Sequence, residues 1–430
     1  MFLRSWVPKA NARDTDFPIQ NLPYGIFETA GDAKIGVAIG DSILDLKACA
    51  DVGWLDDLGA ETIAACEQDS LNALMALGPK YWSPLRRTIT GLLADRQDSK
   101  EAQVTPLLVP MSAATMVLPA RIGDYTDFFA SLYHATNAGS LFRTGNPLFP
   151  NYKYVPIGYH GRASSVVVSG SPVRRPSGQI LDKDAGSPRF GSSNALDYEM
   201  EVGAFVGHGN LRGEPISLDE APSHIFGLCL LNDWSARDIQ AWESQPLGPF
   251  LSKSFATSIS PWVVPMEALE PFRIPAFARA EGDPDPLPYL YSKPDQQTGG
   301  IDLTVEVYIE THVMREASQS PHRLSRGNLR DLYWTLGQLL AHHTSNGCNL
   351  RPGDLFGTGT VSGPEEDSWG CLLEITRRGQ EPISLPNGEQ RRYLQDGDQV
   401  ILRGYCERPG QVRIGFGECR GIVGLPAVRD

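Results

Sequence analysis

The sequence predicts an α+β protein, mostly β, in two parts: a small unit over residues 1–118 and a larger one over 119–430. Three observations predict it. A chain of 430 residues is long enough for about two domains and a substantial core. The N-terminal part carries short apolar runs broken by glycine. From about residue 119, glycine density rises and the apolar residues alternate as in strands.

In the first part PYGIFET (23–29) and KIGVAIGDSILDL (34–46) read as strands. Ser83-Pro84 reads as an N-cap and first-turn proline, followed by a helix whose apolar face is Leu85, Ile89, Leu92 and Leu93. The polar run ADRQDSKEA (94–102) is a connection. In the second part the expected strands are SSVVVSG, DYEMEVGAFVG, HIFGLCLL, SPWVVP, LTVEVYIETHV, GCLLEI and DQVILRGYC, with EGDPDPLP (281–288) as a surface loop. One helix follows, capped by Asn328, with Leu329, Leu332, Tyr333, Leu336, Leu339 and Leu340 as its stripe. His342 and His343 end it. Neighbouring residues do not share a helix face, so they read as last-turn imidazoles rather than metal ligands.

A net charge of −13 argues against nucleic acid or anionic membrane as a partner. The first residues lack the apolar core of a signal peptide, and no apolar run approaches the ~20 residues of a membrane span. Seven cysteines without CxxC spacing read as reduced core residues of a cytoplasmic protein.

The candidate chemistry centres on NDWSARDIQAWESQPLGPFLSKSFATSISPWVVP (232–265). The buried strand before it delivers Asp233. Ser235 stands where a helix cap belongs, with Asp238 as its capping partner. Arg237 and Gln240 share a helix face; Lys253 and Thr257 follow a Pro/Gly turn. A capped helix with a solvated charged face is the other reading of the same pattern.

In Asp197-Tyr198-Glu199-Met200-Glu201-Val202, alternation puts Glu199 and Glu201 on one face. Two carboxylates buried together repel, and a hard divalent cation such as Mg²⁺ or Ca²⁺ removes that repulsion. The wet side of an antiparallel strand is the alternative. With Asp127 and Asp233 they form a candidate four-carboxylate cage. His134 gains interest from Glu374, whose apolar neighbours imply burial; an imidazole held by a carboxylate can activate water. Pairing of Glu374 with an arginine stays open. GYHGRASS (158–165) and GTGTVSG (357–363) allow close backbone approach to a ligand but lack phosphate-loop spacing.

Together PYGIF, DYTDF, HATN, GYHGRASS, YEMEV, NDWSARDIQ, PLGPFLSKSFATSISPWVVP, NGCNLRPGD and GTGTVSG resemble the fumarylacetoacetase family, carbon–carbon bond hydrolases that end tyrosine and phenylalanine breakdown. The resemblance implies an SH3-like N-terminal barrel, a C-terminal mixed β-sandwich roll and a homodimer. It implies metal binding by Asp127, Glu199, Glu201 and Asp233, with Lys253 and Thr257 close by, and Mg²⁺ or Ca²⁺ as the ion. His134 is implied as general base oriented by Glu374; Arg237, Gln240 and Lys253 as oxyanion stabilisers; Arg143, Tyr159, Gln240 and Thr360 as substrate contacts. Phe129 and Ser244 stand where the family carries substrate-touching tyrosines, so reaction class is more firmly implied than the diketo acid itself. A related acylpyruvate hydrolase or 2-keto acid decarboxylase is the second reading, and a non-catalytic metal-stabilised scaffold the third.

Overall fold

A computed structural model describes residues 2–182 and 184–424; Met1, Lys183 and residues 425–430, the tail of the expected second unit, lie outside the described residues. The N-terminal part is a five-stranded antiparallel sheet ordered Leu108–Pro110, Ser42–Asp45, Asp32–Ile39, Tyr24–Thr29, Thr115–Val117. Both expected runs are strands, and KIGVAIGDSILDL is two of them joined by a turn at Gly40, where φ is +61°. The helix Pro79–Leu93 buries Leu85, Ile89, Leu92 and Leu93 as expected. Its start is not Ser83-Pro84. Gly78 and Pro79 open it a turn earlier, Pro84 lies inside, and the Ser83 hydroxyl donates to Glu267.

The C-terminal part is built on two facing sheets. The first is ordered Gly158–His160, Tyr125–Phe128, Leu355–Gly357, Met200–Val206, Ile225–Asp233, Thr257–Ile259, Val166–Val168, with Val264–Pro265 also pairing Ile225–Asp233. The second is ordered His322–Asn328, Thr304–Glu310, Gln399–Cys406, Ile414–Val423, Pro172–Val173. They meet closely at glycines. A Cβ on Gly404 would lie 2.6 Å from Leu230, and one on Gly421 would lie 2.3 Å from Trp234. The other side of the first sheet faces the N-terminal part. Phe205, Phe226, Leu231 and Val263 share one core with Ile26, Val37 and Leu85, and Tyr24 exchanges backbone hydrogen bonds with Val263 (2.9 and 2.7 Å). Strand Ile225–Asp233 is therefore apolar on both faces and reads as a continuous run.

Further local expectations are corrected. GCLLEI is not a strand; Leu372–Ile375 is a single helical turn, a distinction that periodicity cannot make in so short a run. The helix expected from Asn328 is two pieces: Asn328 caps the turn Leu329–Asp331, and Thr335 opens Leu336–Thr344 with a capping box to Gln338. Helix Arg237–Glu243 has no side-chain cap; Ser235 instead donates to the Asp233 carbonyl, while Asp238 accepts from Ser193 and Asn194. Six cysteines are buried and free as expected, but Cys348 is exposed.

Candidate active site

Strand pairing brings the four acids together. Asp127 faces Gly357 in register on a parallel neighbour, Glu201 is the second residue of the strand Met200–Val206, and Asp233 closes the antiparallel strand beside it. Glu199 is held just before Met200 by its N–H to Asn232 Oδ1 (3.2 Å), and its carbonyl accepts from Asp233 N (3.3 Å). Carboxylate oxygens of Asp127, Glu199, Glu201 and Asp233 lie within 4.8 Å of one another, and all four residues are buried. The wet-strand reading of Glu199-x-Glu201 is thus excluded.

Lys253 and Arg237 donate hydrogen bonds to only part of this cluster. Lys253 Nζ donates to Glu199 Oε2 (2.6 Å) and Asp233 Oδ2 (2.9 Å). Asp233 also accepts from Thr257 Oγ1 and Tyr159 OH, both at 2.9 Å. Arg237 Nη1 donates to Glu199 Oε1 (2.8 Å) and Gln240 Oε1 (3.1 Å). Burial acts to raise the Glu199 carboxyl, but Lys253 and Arg237 outweigh it and hold it well below the usual range. Among the described residues, Asp127 and Glu201 take no hydrogen bond from a lysine or arginine. Burial, reinforced by the neighbouring carboxylates, pushes both far above it.

The donor set fits a hard divalent cation. All four groups offer oxygen. Among the described residues, Asp127 Oδ1 and Glu201 Oε1 are buried with no hydrogen-bond partner. Gly357 leaves the approach open, since a Cβ there would come within 2.8 Å of both Asp127 Oδ1 and Glu201 Oε2. A dication would neutralise the pair to which Lys253 makes no hydrogen bond.

Beside the cage, helix Leu132–Phe142 begins at Ser131, whose side chain accepts from His134 N (3.1 Å). This seats His134 with Nδ1 2.7 Å from Glu374 Oε2, both residues buried. Glu374 also accepts from Asn137 Nδ2 and Ser362 Oγ, each at 2.8 Å. Burial would raise its carboxyl, but His134 and these donors hold it below the usual range. Among the described residues, no arginine pairs with Glu374. His134 is also near enough to act electrostatically on Glu199.

The chain is similar in sequence to proteins of known activity. Residues 20–119 match the family described as Fumarylacetoacetase N-terminal, and residues 125–423 match Fumarylacetoacetate (FAA) hydrolase C-terminal. It is 48% identical over 432 residues to fumarylacetoacetase of Homo sapiens, covering 99% of each chain. It is 49% identical over 427 residues to that of Dictyostelium discoideum, covering 97% of each. The chain belongs to the fumarylacetoacetate hydrolase family. It is a hydrolase of that family. A structure of fumarylacetoacetate hydrolase from Exiguobacterium antarcticum, 17% identical, superposes with a TM-score of 0.52 over 94% of this chain and 100% of that one, which shows the shared fold.

Within this family site, the remaining expected residues divide. Tyr159 joins Asp233, and the hydroxyl of buried Thr360 has no partner among the described residues. Phe129 packs edge-on against His134, ring centroids 5.3 Å apart. Two others point elsewhere: Arg143 donates to the Pro147 carbonyl (Nε, 3.0 Å) and lies over Phe149, and Ser244 Oγ donates to the Gln240 carbonyl (2.5 Å). Sequence reasoning missed Asn137, Ser362 and Gly357. Asn137 stands one turn after His134 in HATN, and Ser362 and Gly357 lie in the singled-out GTGTVSG.

Proposed function

We propose that this chain hydrolyses 4-fumarylacetoacetate to fumarate and acetoacetate, using water activated at His134 beside a divalent ion held by Asp127, Glu199, Glu201 and Asp233. The observation that carries this is the His134–Glu374 pair next to a buried carboxylate cluster with two unpartnered oxygens. With Nδ1 donating to Glu374, Nε2 of His134 keeps its lone pair and can take a proton from water. The resulting imidazolium is stabilised by Glu374, and the hydroxide adds to the carbonyl carbon. Arg237, whose Nη2 has no partner among the described residues, meets the alkoxide together with Gln240 and Lys253. The carbon–carbon bond then breaks, its electron pair stays with the acetoacetate fragment, and that carbon takes the proton from His134. A bound Mg²⁺ or Ca²⁺ would supply Lewis acidity to the diketone oxygens. Tyr159 and Thr360 line the substrate.

The test is loss of fumarylacetoacetate absorbance with Mg²⁺ or Ca²⁺ for wild type and His134→Ala. Removing a general base lowers turnover by about 10²–10⁴-fold; equal turnover would remove His134 from the mechanism. Phe129 and Ser244, both without a phenol, support the acylpyruvate-hydrolase or 2-keto acid decarboxylase reading, which faster turnover of those substrates would favour. We also take the chain as two units divided at residue 118, working as a cytoplasmic homodimer. Seven free cysteines suit a reducing compartment, and Phe190, Leu247 and Phe250, exposed by 77%, 96% and 69%, offer apolar surface for a partner copy. Light scattering tests the dimer.

A further inference from the structure

Asp197 is fully buried at the edge of the cage, two residues before Glu199. Its backbone pairs with Ser235 in the short ladder Leu196–Asp197 against Ser235–Ala236, directly before Arg237. Its carboxylate takes four donors. Oδ1 accepts from Tyr198 N (2.9 Å) and Leu372 N (2.8 Å); Oδ2 accepts from Leu373 N (2.9 Å) and Arg237 Nε (2.9 Å). Leu372 and Leu373 are the first two residues of the helical turn that carries Glu374, and Cys371, at its N-cap, does not cap their amides with its side chain; its thiol donates to Glu374 Oε2 (3.2 Å). The cap comes instead from a residue 175 positions away in the chain.

One carboxylate therefore registers two arms of the site against each other. Through Arg237 Nε it leaves Nη1 on Glu199 and Gln240, with Nη2 unpartnered among the described residues. Through the amides of Leu372 and Leu373 it sets the height of Glu374, hence of the His134 ring 2.7 Å from it. We infer that Asp197 is a positioning residue that fixes the general-base pair and the oxyanion guanidinium at one separation, so that both meet the same carbonyl. This rests on the roles proposed above for His134 and Arg237. Local helix capping alone would not need an acid that also holds the arginine.

Asp197→Asn keeps the shape but leaves a single acceptor oxygen for four donors. In protein whose thermal midpoint shows it folded, kcat for fumarylacetoacetate should fall about 10–100-fold, with KM within about threefold of wild type, as for loss of other outer partners that orient a reacting group. In a Glu374→Gln background the same substitution should cost far less, because its action through Glu374 is already lost. Wild-type kcat for Asp197→Asn, or losses that simply multiply in the double variant, would overturn the inference. Should Asp197→Asn not fold, Asp197→Ser, small and still able to accept from the helix amides, carries the same cycle. His134→Ala run alongside separates the two claims: wild-type turnover there would sink the base assignment, whereas an inactive His134→Ala beside a fully active Asp197→Asn would sink only the role of Asp197.

Discussion

The cage and the base pair are both built from buried carboxylates, yet they are finished to different degrees. Glu374 is surrounded by donors from His134, Asn137 and Ser362, and its charge is held below the usual carboxyl range in spite of burial. Asp127 and Glu201, equally buried, leave oxygens without partners and are pushed far the other way. Burial is common to both; at Glu374 it is offset by His134 and the neighbouring donors, whereas at Asp127 and Glu201 the adjacent carboxylates add to it. The base pair is complete within the protein. The cage becomes complete when a cation supplies what Lys253 gives only to Glu199 and Asp233.

The comparison is broken most severely at its finished half. Glu374→Gln turns an amide N–H toward His134 Nδ1, which drives the imidazole proton to Nε2 and removes the free lone pair there. Turnover should fall about 10²-fold or more, while metal affinity changes little. Loss of metal affinity instead would mean that the two sites are not separate.

The unfinished half shows itself in pH. With folded-state pKa values raised, Asp127 and Glu201 keep protons that the unfolded chain releases above about pH 4. Stability of the metal-free protein should therefore fall as pH rises above that value. Excess Ca²⁺ or Mg²⁺ should restore the thermal midpoint more at pH 8 than at pH 5, and Glu201→Gln should flatten the metal-free slope. A midpoint that rises with pH in metal-free protein would reverse the charge assignment.

Gly357→Ala is a sharper, smaller probe, since its methyl would enter between Asp127 and Glu201. Weaker metal binding by about tenfold is expected, with the backbone unstrained because φ at Gly357 is not positive. Ser244→Ala should change least. Its hydroxyl is spent on the Gln240 carbonyl, so KM should shift by less than about threefold. A larger change would bring Ser244 into the substrate site.

Much of this was legible in the sequence where strand period carries the information. Alternation placed Glu199 and Glu201 together, and a continuous apolar run ending in Asp233 marked a doubly buried strand. Less was legible where a short segment takes its conformation from distant partners. GCLLEI became a helical turn because its free amides meet Asp197 and Glu374 meets His134, contacts spanning 175 and 240 residues. Ser235 lost its expected capping role because its segment pairs with Leu196–Asp197. Arg143 and Ser244 are the right residue types in the right order, but side-chain direction follows from local hydrogen bonds that spacing does not encode.

The most direct test of the cage is calorimetric titration of metal-free protein with Ca²⁺ in two buffers of different ionisation heat, for wild type and Glu201→Gln. Wild type should bind about one ion per chain and release protons in doing so, while Glu201→Gln should bind more weakly and release fewer. Binding without proton release, or undiminished in Glu201→Gln, would contradict a site completed by the cation.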